Sequence, residues 1–223
     1  MSVDVKHLTV GVLGGTGPLG GGLARRFATA GIKVVVGSRD AGRGARVAHE
    51  VERDVPDGSV LGGDNREAAQ WADMLVVAVP YEGHADLLGD LAAALTGKIV
   101  VDAVNPIGFD SHGAYPLDVP EGSAAQQAAA LLPDSRVAAA FHHVSAPLLM
   151  NAEVTSLDQD VLVLGDDRHT TDTVQALAGI IPGVRGIYGG RLRNARQVEA
   201  FTANLISINR RYKTHAGLHI TDV

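Results

Sequence analysis

Cysteine is absent from the 223-residue chain. This absence excludes disulfide bonds, thiolate nucleophiles, Cys-ligated zinc and iron–sulfur clusters. Any redox chemistry would therefore use a bound organic cofactor or a metal held by other ligands.

Long apolar runs and an excess of basic residues are lacking too. No stretch approaches the roughly 18 consecutive apolar residues that cross a bilayer, and no Lys/Arg-flanked apolar segment opens the chain. We therefore expect a cytoplasmic protein without a membrane partner. The 19 Lys and Arg against 25 Asp and Glu give a formal charge of −6, which disfavours a nucleic-acid partner.

Glycine, in contrast, is plentiful, and its distribution predicts the fold. The chain has 27 Gly in 223 residues, above the usual share of roughly 7%. Many of them cluster at 14–22, after an apolar run at 8–13 and before a helical pattern at 23–30 and a β-rich run at 32–36. A strand, a tight turn, a helix and a second strand of this combined length make a βαβ unit.

The alternation of strand and helix continues and predicts a Rossmann-type, doubly wound parallel sheet in an α/β protein. We expect further strands near 60 and at 74–79 and 99–102, and helices at 41–53, 68–72 and 85–95. Residues 103–122 contain three Pro and three Gly without periodicity, which is typical of a long functional loop.

The pattern resumes after this loop and predicts a smaller C-terminal α/β part. We expect helices at 123–132, 170–180 and 191–212, strands at 136–141, 161–164 and 185–187, and a loop at 142–151. We accordingly divide the chain into a nucleotide-binding domain, 1–135, and a smaller C-terminal domain, 136–223, with a soft boundary between them.

The turn after the first predicted strand fits the G-x-G-x-x-G dinucleotide fingerprint. Its residues are Gly15, Thr16, Gly17, Pro18, Leu19 and Gly20. The first glycine permits a sharp turn, the second lets backbone N–H groups approach a pyrophosphate, and the third lets helix and strand pack closely. The positive end of the following helix adds to the attraction. A Gly-rich turn without a ligand is the alternative.

The end of the second predicted strand favours NADP(H) over NAD(H). NAD-specific sites usually carry Asp or Glu there to hold the ribose 2′-OH, whereas this chain has Ser38 and Arg39. Arg39 can bind a 2′-phosphate bidentately while Ser38 donates a further hydrogen bond. Arg43, four residues on, can close over the same phosphate or the adenine. The alternative is a solvated basic turn with Asp40 as its partner.

Two further segments follow strands at the same expected edge of the sheet. Val79 and Pro80 end the fourth strand, where open α/β sheets bind ligands, although Pro80 also suits the first turn of a helix. Asn105 follows the fifth strand. It either hydrogen-bonds the ribose or amide of a nicotinamide or only shapes the turn before Pro106.

The adjacent pair His142 and His143 does not predict a metal site. Neighbouring side chains diverge, and no carboxylate cluster accompanies the pair in the sequence. Nucleophile-elbow patterns and ordered Ser-His-Asp sets are also missing. We therefore expect no bound metal.

Five stretches of the chain together resemble the NADPH-dependent coenzyme F420 reductases, also called F420-dependent NADP oxidoreductases. They are the Gly-rich turn at 14–20, Val-Val-Gly-Ser-Arg at 35–39, Val-Pro-Tyr-Glu at 79–82, the His142 loop, and Leu-Arg-Asn-Ala-Arg-Gln-Val-Glu at 192–199. The likeness covers nearly the whole chain, and the last stretch makes it specific. It implies a Rossmann domain that binds NADP(H), a cleft where the deazaflavin ring of coenzyme F420 stacks on the nicotinamide, and a homodimer.

The resemblance also implies roles for individual residues. The family's NADP contacts correspond to Thr16, Gly17, Pro18, Leu19, Ser38, Arg39 and Arg43, and its nicotinamide neighbours correspond to Val79 and Pro80. The deazaflavin pocket of the family corresponds to His142, Val144 and Ala146, and the polar residues near the ring correspond to Arg196 and Thr202. We take His142, Arg196 and Thr202 as the candidate catalytic residues.

Three positions depart from residues found in some members of that family. Ala200 stands where some have Ser, Ser145 where some have Pro, and His143 replaces a Thr. We therefore expect the hydrogen bonds beside the ring to differ, but not the fold or the class of reaction.

The reaction that the resemblance implies is hydride transfer between NADP(H) and coenzyme F420, whose C5 accepts a hydride from C4 of NADPH. The accompanying proton would come from His142 or from water.

Between residues 185 and 215 there are seven Lys or Arg and one acid, Glu199. This basic segment would attract the anionic tail of coenzyme F420, with Arg193 and Arg196 as the better candidates.

Two alternatives stay open at the level of sequence. The first is an NADPH-dependent reductase of another acceptor, such as an imine or a flavin. The second is a non-catalytic protein that senses NADP(H).

Overall fold

The computed structural model describes residues 3–223 and contains ten strands and eight α-helices within that range. The strands are β1 (Thr9–Leu13), β2 (Lys33–Ser38), β3 (Val60–Asp64), β4 (Met74–Val77), β5 (Ile99–Asp102), β6 (Ile107–Asp110), β7 (Gly113–Pro116), β8 (Arg136–Ala139), β9 (Gln159–Gly165) and β10 (Val184–Gly190). The helices are α1 (Pro18–Thr29), α2 (Ala41–Asp54), α3 (Asn65–Trp71), α4 (His84–Leu95), α5 (Ala124–Leu131), α6 (Ala146–Met150), α7 (Arg168–Gly179) and α8 (Ala195–Tyr212). None of the helices between residues 3 and 223 is long and apolar enough to cross a membrane.

Eight of the strands form one sheet in the order β10-β9-β8-β5-β4-β1-β2-β3. Neighbouring strands are parallel except for β8 and β9, which are antiparallel. The chain moves outward from β1 to β3 and then returns to β4 on the other side of β1. Open α/β sheets bind ligands at the carboxyl ends of the strands beside such a reversal. The predicted Rossmann-type sheet is confirmed, with one antiparallel pair added.

Two apolar layers cover the faces of the sheet, because its central strands bury both sets of alternating side chains. On β1, Val10 and Val12 belong to one core cluster while Leu13 belongs to the other. On β4, Val76 joins the first cluster and Leu75 the second. This double burial explains why the strands appear in the sequence as continuous apolar runs.

The C-terminal part of the chain extends the same sheet. The predicted boundary between 135 and 136 falls immediately before β8, which pairs with β5 from Ile99 and Arg136 to Asp102 and Ala139. Strands β9 and β10 follow on the same side. The division into two domains therefore stays a prediction, since no break in the sheet marks it.

The predicted irregular loop at 103–122 is wrong in one respect, because it contains the antiparallel hairpin of β6 and β7. At its tip, the Asp110 carboxylate accepts hydrogen bonds from the backbone N–H groups of His112 and Gly113, and Gly113 has φ +124°. The hairpin lies outside the main sheet and is only partly buried, so its sequence lacks the apolar pattern of a core strand. The predicted loop at 142–151 likewise contains the short helix α6.

Candidate functional site

The Gly-rich turn is closed by contacts that leave no room for side chains. Gly14 has φ +73°. A Cβ atom on Gly20 would lie 2.6 Å from the carbonyl oxygen of Gly14 and 2.9 Å from Cα of Gly15. The N–H group of Gly15 donates to the carbonyl oxygen of Gly37, at 2.9 Å, which ties the turn to β2. Close backbone approach thus explains Gly20, and it also explains Gly15, because a Cβ atom there would lie 2.8 Å from the carbonyl oxygen of Val12.

The first turn of α1 offers unpaired backbone donors. Gly17 is its N-cap and supplies no side-chain hydrogen bond, and Pro18 occupies the first helical position. The N–H groups at the start of a helix have no intrahelical partner, and the helix dipole is positive there. The turn therefore fits the pyrophosphate of a dinucleotide.

Two residues that follow β3 and β4 in the chain contact this turn. The side-chain oxygen of Asn65 accepts a hydrogen bond from the N–H group of Gly14 at 3.3 Å. Val79 follows β4, and its Cγ1 atom would lie 2.8 Å from a Cβ atom on Gly14. Pro80 is exposed beside it. Asn65 was missed from the sequence, because nothing in its local pattern indicates a bond to a turn 51 residues away.

The predicted 2′-phosphate residues meet beside the same turn. Ser38 is buried at the end of β2, whereas Arg39 and Arg43 are exposed. Arg43 Nη2 lies 3.5 Å from the carbonyl oxygen of Thr16, so α2 reaches the Gly-rich turn. The Asp40 carboxylate accepts the backbone N–H of Arg43 at 2.6 Å and caps α2.

Neither arginine at this position has an acidic partner among residues 3–223, since no carboxylate lies within salt-bridge distance of Arg39 or Arg43. Asp40 is occupied as a helix cap. The interpretation of a basic turn neutralised by Asp40 is therefore disfavoured, and two guanidinium groups stay available to a phosphate.

A second cluster forms where β5 and β8 end, next to β4 in the sheet. Asn105 Nδ2 donates to the carbonyl oxygen of His142 at 3.1 Å. The hydroxyl of Thr202 on α8 lies 3.1 Å from the same carbonyl and 3.2 Å from Asn105 Oδ1. Three residues that are far apart in sequence are thus joined into one network. Because β1, β4, β5 and β8 are parallel neighbours, this network shares its edge of the sheet with the Gly-rich turn.

The ring of His142 is buried, and neither of its nitrogens has a hydrogen-bond partner among residues 3–223. Buried polar groups are nearly always paired, so such an orphaned ring fits a site that is completed by a ligand. Burial, with a smaller contribution from His143, lowers the pKa of His142 to about 3. The imidazole is therefore uncharged near neutral pH.

The adjacent His143 has a structural role instead. Its Nε2 lies 2.8 Å from the carbonyl oxygen of Val198, and its ring packs edge-on against Phe201 with centroids 5.5 Å apart. His143 therefore anchors α8 to the loop that follows β8. Val144 is buried and Ala146 begins α6, so both lie in the loop that follows His142.

Arg196 lies at the start of α8 and lines a small pocket together with Pro106, which follows Asn105. Its Nη2 donates to Asp118 Oδ1 at 2.8 Å, and the side chains of both residues are mostly exposed. Arg196 makes no hydrogen bond to His142 or Thr202 within residues 3–223, so its catalytic role stays a prediction.

Comparison with known proteins matches this architecture. A sequence model described as "NADP oxidoreductase coenzyme F420-dependent" matches residues 9–106. The F420-dependent NADP reductase of Methanothermobacter marburgensis is 40% identical, with 97% of this chain and 99% of that protein covered. The reductase of the same name from Methanothermobacter thermautotrophicus is 39% identical, with 99% and 98% covered. The chain belongs to the F420-dependent NADP reductase family.

A solved structure has the same fold over its full length. It is described as a putative F420-dependent NADP reductase from Arthrobacter sp. FB24, superposes with a TM-score of 0.78 and is 26% identical, with 96% of this chain and 99% of that chain covered. The likeness to this family seen in the sequence is therefore confirmed.

A buried polar cluster beneath the Asn105 turn was not predicted from the sequence. His84 Nε2 lies 2.6 Å from Asp102 Oδ2, and its Nδ1 lies 3.0 Å from Gln127 Oε1. Asp102 Oδ1 also accepts the N–H of Val104 at 3.1 Å, which shapes the backbone that leads to Asn105. Burial alone would lower the pKa of His84, but the hydrogen bond and charge of Asp102 outweigh it and raise the pKa.

Glu199, on α8, is buried beside that cluster. Its carboxylate oxygens accept the N–H groups of Ala124 and Ala125 at 2.9 and 3.1 Å, so it docks α8 on the start of α5. Burial raises the pKa of Glu199 to about 7, although these two hydrogen bonds lower it. Glu199, the only acid between residues 185 and 215, is thus buried and docks α8, whereas the basic residues around it are exposed to solvent.

Proposed function

We propose that this protein catalyses hydride transfer between NADP(H) and coenzyme F420. The observation that carries the proposal is the placement of an uncapped Gly-rich turn and the Asn105–His142–Thr202 network at one edge of the sheet. Membership of the F420-dependent NADP reductase family supplies the identity of the two substrates.

In this proposal, the Gly-rich turn and α1 bind the pyrophosphate, and the basic end of β2 binds the 2′-phosphate. Leu19 and Gly20, in the first turn of α1, supply backbone N–H groups, while Gly15 and Gly17 let the pyrophosphate approach the backbone closely. Arg39 and Arg43 supply charge, and Ser38 supplies a hydroxyl. Val79 and Pro80 would then lie toward the nicotinamide.

The second cluster holds the deazaflavin against that nicotinamide. When bound, NADPH supplies a hydride at C4 and the deazaflavin accepts it at C5. The chain contributes by orienting the two rings and excluding water, because no covalent step is needed. Asn105 and Thr202 hold the backbone of His142, while Val144 and Ala146 line the ring pocket.

His142 acts in this proposal as a neutral hydrogen-bonding group. Its lowered pKa leaves no imidazolium near neutral pH, and an uncharged imidazole both donates and accepts one hydrogen bond. Water is therefore the favoured source of the proton that accompanies the hydride. The exposed Arg196 and Arg193 are placed to attract the anionic tail of coenzyme F420 rather than to act on its ring.

We also propose a cytoplasmic homodimer whose contact surface is the face formed by the β6–β7 hairpin and α8. Four large apolar side chains are exposed on this face, namely Phe109, Tyr115, Phe201 and Tyr212. Exposed clusters of this kind are typical of protein interfaces. Sedimentation of the wild type and of Phe109→Ser/Tyr212→Ser tests it: the wild type should sediment as a dimer and the variant as a monomer.

The test of the reaction is a steady-state assay of NADPH with coenzyme F420, followed through the loss of the visible absorbance of the deazaflavin. We expect bleaching that depends on the enzyme and requires NADPH. Bound NADPH without bleaching would contradict the proposal and favour an NADP(H) sensor. Faster oxidation of NADPH with an imine or a flavin than with coenzyme F420 would favour the other alternative.

A further inference from the structure

Helix α1 carries a buried cation that is not used by the nucleotide turn. Arg26 lies within α1, is only 7% exposed, and donates to four backbone carbonyls across a long sequence distance. The acceptors and their distances are Leu148 (2.8 Å), Leu149 (3.0 Å), Asn151 (2.9 Å) and Val154 (2.7 Å). Burial lowers the pKa of Arg26, but an arginine stays protonated in proteins.

This cation is held by peptide dipoles alone. No carboxylate of residues 3–223 lies within salt-bridge distance of Arg26. Burying an unpaired charge is costly unless hydrogen bonds compensate it. The four carbonyls therefore form a binding site for the guanidinium, and their positions depend on it in turn.

The segment that Arg26 binds cannot hold its shape by itself. Helix α6 has five residues and no side-chain N-cap, and helices of that length are unstable in isolation. Carbonyls at the end of a helix lack intrahelical partners and attract a cation. Arg26 thus supplies from α1 the C-terminal cap that α6 lacks.

Other contacts hold α1 against the same loop. A Cβ atom on Gly22, which shares a face of α1 with Arg26, would lie 2.6 Å from Cβ of Leu149, so the two backbones nearly touch. Phe27 packs edge-on against Phe141, with centroids 6.0 Å apart. Phe141 has φ +66°, which is rare for an aromatic residue, and it directly precedes His142.

We propose that Arg26 is a positioning residue for the deazaflavin half of the site. It ties the loop that carries His142, Val144 and Ala146 to the helix whose first turn binds the dinucleotide. This inference rests on the proposed function. It predicts that loss of Arg26 damages the use of coenzyme F420 while the pyrophosphate turn, at the other end of α1, keeps its affinity for NADPH.

The first test compares Arg26→Met with Arg25→Met in the full-length protein. Arg25, the matched control, pairs with Asp54 and binds none of the four carbonyls. We expect Arg26→Met to raise the KM for coenzyme F420 on the order of tenfold and to lower kcat, because small displacements of a positioned substrate are costly. The Kd of NADPH should stay within about twofold, Arg26→Lys should recover part of the loss, and Arg25→Met should match the wild type.

A second measurement, hydrogen exchange in Arg26→Lys, needs no coenzyme F420 and decides the matter if Arg26→Met does not fold. The amides of Leu149 and Asn151, bonded to Ser145 and Pro147, should lose protection, while that of Gly21, bonded to Gly17, should keep it. The inference would be overturned if protection in Arg26→Lys were unchanged, or if all three amides lost protection equally. It would also be overturned if Arg26→Met left the KM for coenzyme F420 unchanged. A wild type that is inactive with coenzyme F420 would instead contradict the proposed function.

Discussion

At the scale of single residues, we propose that the charge at the end of β2 selects NADP(H) over NAD(H). Ser38 and Arg39 stand where an NAD-specific site has an acid, and Arg39 has no carboxylate partner among residues 3–223. A free guanidinium favours the 2′-phosphate, whereas the paired charge of a solvated turn would not.

Replacement of Arg39 by Ala should therefore weaken the binding of NADPH far more than that of NADH. Hydrogen bonds to a charged group contribute about 1.5–3 kcal/mol, which corresponds to roughly a 10- to 150-fold rise in the Kd of NADPH. Fluorescence titration with both dinucleotides measures the two constants. Arg46→Ala, an exposed change on helix α2, which follows Arg39, serves as control. An equal loss for NADH and NADPH would place Arg39 away from the 2′-phosphate.

Burial of a single carboxyl at Glu199 should make stability depend on pH. The pKa of Glu199 is raised to about 7 in the folded protein from 4.5, so the folded state holds this proton where the unfolded state has lost it. Its stabilising contribution is present below about pH 4.5 and is lost as the pH rises to about 7.

The free energy of unfolding of the wild type, relative to Glu199→Gln, should accordingly fall between pH 4.5 and 7. The slope should be at most about 1.4 kcal/mol per pH unit. Urea denaturation at a series of pH values measures it. The raised pKa of His84 also makes the free energy of unfolding fall with rising pH. Because His84 is present in both proteins, its contribution largely cancels in the difference between them. A difference that does not vary with pH would contradict the assignment.

At the scale of elements, the position of α2 depends on close backbone contact with β3. A Cβ atom on Gly44 would overlap the carbonyl oxygen of Gly63, and one on Gly62 would overlap that of Gly44. Gly44 directly follows Arg43, whose side chain reaches the Gly-rich turn. This contact therefore sets how near the basic residues of α2 come to the dinucleotide.

Gly44→Ala should raise the KM for NADPH several-fold more than that for NADH and lower the free energy of unfolding by about 1–3 kcal/mol, because α2 must move outward. Gly42→Ala on the same helix is the matched control. Its Cβ would have its nearest neighbour at 3.4 Å, Asp40 Oδ1, and alanine favours a helix by up to about 1 kcal/mol. Steady-state kinetics and urea denaturation measure both effects. Equal changes in the two KM values would show that α2 does not position the phosphate site.

The elements differ in how far the sequence could predict them. The strands β1, β4 and β5 are buried on both faces and therefore appear in the sequence as continuous apolar runs. For this reason their predicted boundaries lie close to those in the structure. The β6–β7 hairpin is partly exposed and rich in turn residues, and it was missed for that reason.

Site residues differ in the same way, according to whether their role is local. The placement of the Gly-rich turn and of Ser38-Arg39 was predictable, because each lies directly at the end of a strand that is visible in the sequence. Asn65, His84 and Arg26 were not, since each bonds to a segment that only the folded sheet brings near.

At the scale of the whole molecule, the single eight-stranded sheet joins the two proposed domains. Unfolding by urea should therefore be one cooperative transition. Fluorescence of Trp71, the only Trp of the chain, reports the N-terminal part, and far-UV circular dichroism reports all of it. Coincident midpoints are expected. Two separated transitions would show instead that residues 1–135 and 136–223 fold as independent units.

In the proposed function, C4 of NADPH would pass its hydride directly to C5 of the deazaflavin at the edge of the sheet. The most direct test is a single-turnover reaction in ordinary water with NADPH that carries deuterium at the transferred position of C4. The account predicts that the product deazaflavin gains one deuterium, detected by mass spectrometry. A reduced deazaflavin without deuterium would show that the hydrogen passed through solvent or a protein group and would contradict direct transfer.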